Sequence, residues 1–249
     1  MGSGLKNYRL LIQYEGTRYK GWQKQESTDN TIQGKLENIL SRMTGTEVEV
    51  HGSGRTDAGV HALGQVCNTH LETPMTLDEI MNYVNFYLPE DIAVIDIQEV
   101  DDKFHARLHA KSKTYLYRVL NSPIPHVFDR RYVYEYPAKL NVDAMVEAAS
   151  KLVGTHDFLP FCTKKKFKKS TVRTISEIEI DQIGDEVVFT FSGDGFLYHM
   201  VRIMTGTLLE VGTGEKKVED IDKIFAFRLR ENAGHLVPAK GLALMEVRY

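Results

Sequence analysis

Cysteine is scarce in this chain of 249 residues, and its two copies, Cys67 and Cys162, stand far apart in neither a CxxC nor a Cys/His ligand spacing. That excludes a disulfide framework and leaves no structural zinc motif. Long apolar runs are missing too. None reaches the ~20 residues needed to cross a bilayer, and the opening MGSGLKNYR has no hydrophobic stretch of the secretory kind. The expectation is a cytoplasmic protein with reduced thiols and no membrane contact. There is no H-E-x-x-H, no G-x-S-x-G, and no Gly-Lys-Ser/Thr after the glycine-rich stretch. Zinc-hydrolase, serine-hydrolase and P-loop chemistry therefore lack their motifs. His105 and His109 have no acid in ligand register, so no metal is expected. Net positive charge is also absent, since 31 Lys and Arg face 34 Asp and Glu, leaving −3.

The distribution of that charge says more than its sum. Residues 71 to 102 carry nine acids and no Lys or Arg, whereas KFHARLHAKSKTYLYRVL and KKKFKKSTVR are almost purely basic and interleaved with Tyr or Phe. Each run taken singly fits a solvated face. Two of them with aromatics point towards RNA or DNA as partner.

Periodicity gives a repeated order of elements. YRLLIQYEG alternates as a strand with Leu10, Ile12 and Tyr14 on one side. Thr31 is placed to cap a helix with Ile32, Leu36, Ile39, Leu40 and Met43 in one stripe. EVEVHGSG and GQVCNTHLE read as strands flanking a glycine-rich loop. Thr76 and Glu79 form a capping box for a helix with Leu77, Ile80, Met81 and Val84 inward, and IAVIDIQEV is a strand. This is βαββαβ, the split arrangement of ferredoxin-like and RNA-recognition folds. The second half repeats it: TYLYRVL as a strand, NVDAMVEAASKLVG as a helix, and VRTISEIEIDQI with EVVFTFSG as a hairpin. GFLYHMVRIMTGTLLEVG and VEDIDKIFAFRLR then read as helices and GLALMEVRY as the last strand. The expected class is α+β: two tandem units, 1–106 and 107–249, with antiparallel-rich sheets side by side and a central cleft.

Two features carry candidate chemistry. GSGRTDAGVHALG, residues 52 to 64, is no dinucleotide fingerprint, because the third glycine position falls on Asp57. Gly52, Gly54 and Gly59 could build a turn that Asp57 caps locally. The second feature is Arg202 in FLYHMVRIMTGTLLEVG, a helix apolar nearly all round. An arginine buried there needs a carboxylate to offset desolvation, and the helix supplies only Glu210, two turns away. Asp57 is one candidate partner; snorkelling of Arg202 to the surface is the alternative. Tyr198 and Gly206, four residues to either side of Arg202, would give that helix face an aromatic, a cation and a gap. Tyr115 shares a strand face with Tyr117 and Val119, a spacing as common in cores as in sites.

The chain resembles the TruA family of tRNA pseudouridine synthases over essentially its whole length. The resemblance is carried by YEGTRYKGWQKQ at 14 to 25, GSGRTDAGVHALGQV at 52 to 66, FHARLHAKSKTYLY at 104 to 117, FLYHMVR at 196 to 202 and GLALMEVRY at the end. It implies the pseudouridine synthase fold and an isomerase that turns uridine into pseudouridine. It implies Asp57 as the catalytic aspartate, Arg55 as the base-displacing arginine, Tyr115 as the aromatic stacking on the uracil, and Arg202 as the partner of Asp57. Leu242 would pack against the site, with Gly54, Thr56 and Lys113 as further candidates for substrate contact. It further implies a homodimer, no cofactor, no metal, and tRNA as substrate at positions 38, 39 and 40 of the anticodon stem-loop. Two stretches depart from the family's pattern: KKKFKK is unusually lysine-rich, and AGHLVPAKG replaces a commoner alanine-glycine-proline-threonine-like run. These bear on which uridines are modified. A non-catalytic RNA-binding protein on the same fold would lack the aspartate, and an N-glycosylase would want a second carboxylate that the loop does not provide.

Overall fold

A computed structural model describes residues 4–163 and 170–249. The five lysines of 164–169, expected to grip phosphate, lie outside the described residues. The class is mixed α+β, and the chain divides into two compact units: Met1–Lys111 with Leu244–Tyr249, and Ser112–Ala243. The division falls after Lys111, and the last six residues count with the first unit. Hydrogen bonds explain this: Lys111 N–H donates to Arg248 C=O (2.8 Å), and Tyr249 Oη to Ala106 C=O (2.8 Å).

The first unit runs β1 (Lys6–Tyr14), α1 (Ile32–Thr44), β2 (His51–Gly52), β3 (His61–Leu71), α2 (Leu77–Tyr87), β4 (Ile92–Val100), the βαββαβ order read from the sequence. β1 lies antiparallel between β3 and β4, and β10 (Leu242–Arg248) borders β3 on its other side. Leu10, Ile12 and Tyr14 are buried as their alternation predicts. Thr31 Oγ1 accepts from Gly34 N–H (3.2 Å), and the Thr76–Glu79 capping box is complete. Ile32, Leu36 and Leu40 are buried, as are Ile80 and Val84, whereas Leu77 at the start of α2 is 37% exposed.

The predicted strand EVEVHGSG shortens to two residues because polar side chains take its hydrogen bonds. Val50 N–H donates to the Glu37 carboxylate (3.1 Å), and Val50 C=O accepts from Gln33 Nε2 (3.0 Å). Gln33 Nε2 also donates to Glu37 (2.9 Å), while Lys24 pairs with the same carboxylate (3.0 Å). Both Gln33 and Glu37 are buried on the stripe face of α1, where every polar group must find a partner.

The second unit contains β5 (Ser112–Leu120), β6 (Tyr134–Glu135), α3 (Val142–Ser150), β7 (Gly154–Asp157), β8 (Val172–Ile183), β9 (Glu186–Gly193), α4 (Met200–Gly212) and α5 (Asp220–Phe227). Its strands order β5-β9-β8-β7, with β8 and β9 the expected hairpin. Phe189 and Phe191 of β9 are fully buried along with Tyr117 of β5, and α3 packs on α4. α4 starts at Met200 rather than Gly195: His199 takes a left-handed conformation (φ 67°) and breaks the helix. A β-carbon makes that conformation uncommon.

Candidate active site

In the first unit the glycine-rich loop is fastened from beneath by buried polar side chains. Ser53, fully buried, donates its N–H to Val66 C=O (2.7 Å) and its hydroxyl to Gln65 Oε1 (2.7 Å). Gln65, also fully buried, donates through Nε2 to Gly54 C=O (3.1 Å) and towards Tyr14 Oη (3.5 Å). Tyr14 Oη shares a hydrogen bond with Thr56 Oγ1 (2.8 Å); burial pushes its pKa up to about 12, so it stays a neutral phenol at physiological pH. Trp22 N–H donates to Thr56 C=O (3.1 Å). The indole packs so closely on Gly52 that a β-carbon there would stand 2.5 Å from Cε2, an approach only glycine permits.

These anchors hold residues 52 to 56. Asp57 is half-buried and Arg55 exposed. Arg55 Nε donates to Gln23 Oε1 (2.9 Å). It is the main-chain carbonyl of Asp57 that closes the turn, accepting from Val60 N–H (3.1 Å). Thr56, a candidate for substrate contact, is only 7% exposed and shares its hydroxyl hydrogen bond with Tyr14.

The second unit holds the other candidates. Tyr115 on β5 is 8% exposed, opposite Phe191 in register, with Phe196 edge-on to its ring at 5.1 Å. Lys113 lies on the same strand, opposite Gly193. Arg202 is half-buried on α4, a helix otherwise buried nearly all round as the sequence implied. Its Nε donates to Val237 C=O (2.8 Å). Two residues from Tyr115, Tyr117 donates to Pro238 C=O (2.7 Å); burial raises its pKa, which the Arg202 charge partly opposes. Leu242, buried, opens β10 directly after a turn at Ala239–Gly241.

One expectation about α4 changes. Tyr198 precedes the helix, 53% exposed and stacked on the His199 ring at 3.7 Å, so it does not share a helix face with Arg202. At Gly206 another segment does approach, as the missing side chain suggested: a β-carbon there would collide with His235 C=O. Sequence reading also passed over Tyr14, Trp22, Ser53 and Gln65. The lone tryptophan beside Gly21 and a glutamine in the middle of a near-continuous buried strand were the available signals.

Among the described residues no group of three or more His, Cys, Asp or Glu could hold a metal ion, and no helix is long and apolar enough to cross a membrane.

The tRNA pseudouridine synthase family matches residues 10–108 and 148–249, spans that include Arg55, Asp57, Arg202 and Leu242. A tRNA pseudouridine synthase A from Bacillus sp. (strain KSM-64) is 48% identical over 245 residues, covering 98% of this chain and 100% of that protein. A tRNA pseudouridine synthase A 1 from Clostridium tetani is 45% identical with the same coverage. A solved chain of a Cbf5-Nop10-Gar1 complex aligns with 95% of this chain and 48% of its own, at 13% identity and a TM-score of 0.38, too remote to carry an argument. With full-length relatives at such identity and a family match across both units, the chain belongs to the tRNA pseudouridine synthase family.

Proposed function

We propose that this protein isomerises uridine to pseudouridine in tRNA, at positions 38, 39 and 40 of the anticodon stem-loop, with Asp57 as the essential group. The observation that carries the reading is the loop itself. Four buried side chains and a glycine–tryptophan contact fasten its backbone over the residues that lead into Asp57, the preorganisation that a positioned reactive carboxylate needs. Family membership supplies the reaction.

The isomerisation breaks the N1–C1′ glycosidic bond, turns the uracil and joins C5 to C1′; the proton lost from C5 is balanced by one gained at N1. Nothing is oxidised or reduced. The Asp57 carboxylate either adds to the substrate to form a covalent adduct or removes a ribose proton to give a glycal. Both routes need it ionised. A guanidinium favours the charged form of a carboxylate, and that is the role assigned to Arg202. The target base must leave its stack at a cost of a few kcal/mol. Arg55, outward and steadied by Gln23, fills the vacated space, while the Tyr115 ring stacks on the extruded uracil. Lys113 and the basic run 103–118 in which it lies, with the run 164–173, meet phosphate. Two copies of the chain act together, one holding the body of the tRNA while the other modifies it.

The test is carbodiimide-based mapping of tRNA treated with purified protein and with D57A. Pseudouridine at 38 to 40 with the parent and none with D57A is expected, tRNA affinity staying within a few-fold. Release of free uracil, or full activity of D57A, would overturn the reading.

A further inference from the structure

The run AGHLVPAKG, which departs from the family's usual sequence, lies along α4 as a strap. The strap is pressed backbone to backbone on the helix. A β-carbon on Gly206 would collide with His235 C=O, and one on Gly234 with the backbone of Thr207. Gly234 N–H donates to Thr207 Oγ1 (2.8 Å), and Arg230 Nη1 to Gly234 C=O (2.9 Å). Val237 in the strap accepts from Arg202 Nε (2.8 Å), and the next carbonyl, Pro238, from Tyr117 Oη (2.7 Å).

What holds the middle of the strap is His235. Its N–H (2.8 Å) and its Nδ1 (2.9 Å) both reach Oε1 of Glu210, one turn of α4 beyond Gly206, and Lys216 steadies Oε2 (3.4 Å). Burial alone would raise the Glu210 pKa, but these His235 and Lys216 interactions outweigh it and hold the carboxyl below its ordinary range.

We propose that His235 and Glu210 are positioning residues for Arg202: by clasping the strap to α4 they fix the Val237 carbonyl and, through it, the direction of the guanidinium. The consequence is catalytic rather than adhesive, because Arg202 faces the reacting carboxylate in the function proposed above, on which this inference rests. A misplacement of about 1 Å in such a group costs up to roughly 100-fold in rate.

The test measures single-turnover pseudouridine formation, tRNA KM and thermal midpoint for H235A, H235N and R202A. Asparagine places its amide N–H where histidine Nδ1 stands. H235A is expected to lose about 10- to 100-fold in kcat with KM within about two-fold, H235N to recover most of that loss, and R202A to be inactive. If H235A turns over like the parent while R202A is dead, the clasp is overturned and the Arg202 assignment stands. An H235N variant as slow as H235A, or a defect confined to KM or to thermal midpoint, also overturns it. If R202A is itself active, the Arg202 assignment fails and takes the clasp with it.

Discussion

Replacing Gln65 with leucine isolates the support of the glycine-rich loop from the loop itself. The side chain is fully buried, and leucine keeps most of its volume, so the perturbation is loss of hydrogen bonds rather than a cavity. Two groups lose a close partner, the Ser53 hydroxyl, now 2.7 Å from Oε1, and the Gly54 carbonyl, now 3.1 Å from Nε2; the longer contact to Tyr14 Oη (3.5 Å) goes too, but that hydroxyl keeps Thr56. A buried polar group left unpaired costs ~1–3 kcal/mol, and rotation of the Ser53 hydroxyl recovers part of one penalty, so Q65L should lose about 2–4 kcal/mol. For a chain of this size 1 kcal/mol moves the melting midpoint by roughly 2–4 °C, which puts the first unit's transition roughly 5–15 °C lower. Asp57 lies three residues past Gly54, so activity at a permissive temperature should fall by up to about 100-fold. The double variant S53A/Q65L removes one of the two affected groups and should regain about 1 kcal/mol over Q65L, because deleting both partners of a buried hydrogen bond is far cheaper than deleting one. Calorimetry and single-turnover mapping read the two effects. A Q65L protein that melts with the parent, or a double variant less stable than Q65L, would refute the reasoning.

Replacing the five lysines of 164–169 with glutamine should weaken binding to every tRNA and flatten the dependence of log Kd on log salt by roughly 0.7–0.9 for each phosphate no longer neutralised; an unchanged slope removes that segment from the grip. Asp91 gives a pH signature. Burial alone would raise its pKa, yet the Tyr19 hydroxyl and the Arg18 guanidinium hold it below the ordinary carboxylate value. A depressed folded pKa stabilises fully above the unfolded value, ~4, and that stabilisation is lost as pH falls through the folded one. The urea midpoint should therefore drop below about pH 4 in the parent, and D91N should flatten that limb. G206A should drive the strap off α4 and lower both melting midpoint and kcat, with no effect on salt dependence.

Much of the first unit was legible because each element carried agreeing signals. Thr31 and the Thr76–Glu79 pair marked helix starts, and the alternation through Leu10, Ile12 and Tyr14 marked the central strand. Where signals conflicted, the structure followed the stronger local interaction. EVEV has strand composition, but Glu37 and Gln33 claim the Val50 amide and carbonyl, and no one-dimensional pattern announces that α1 turns two polar residues inward. GFLYHM continues the apolar period of α4, so the left-handed break at His199 was invisible. β6 and β7, two and four residues long, were too short to leave a period. At the candidate site, motif positions such as Asp57 and Arg202 were proposed from the sequence, whereas the network beneath the loop could not be read there. Tyr14, Ser53 and Gln65 come from three separate stretches of the chain, and the β1–β3 and β2–β3 registers bring them together.

The first unit draws its final strand residues from the far end of the polypeptide, with Met245 C=O set so close to Gly64 that no β-carbon fits between them. During synthesis, then, β3 waits with an open flank until the whole second unit has been made. A strand left bare in this way is a template for wrong pairing. Any chain released before residue 244 would carry the Asp57 loop on an unfinished sheet, so a fragment holding residues 4–111 alone lacks part of its own first unit.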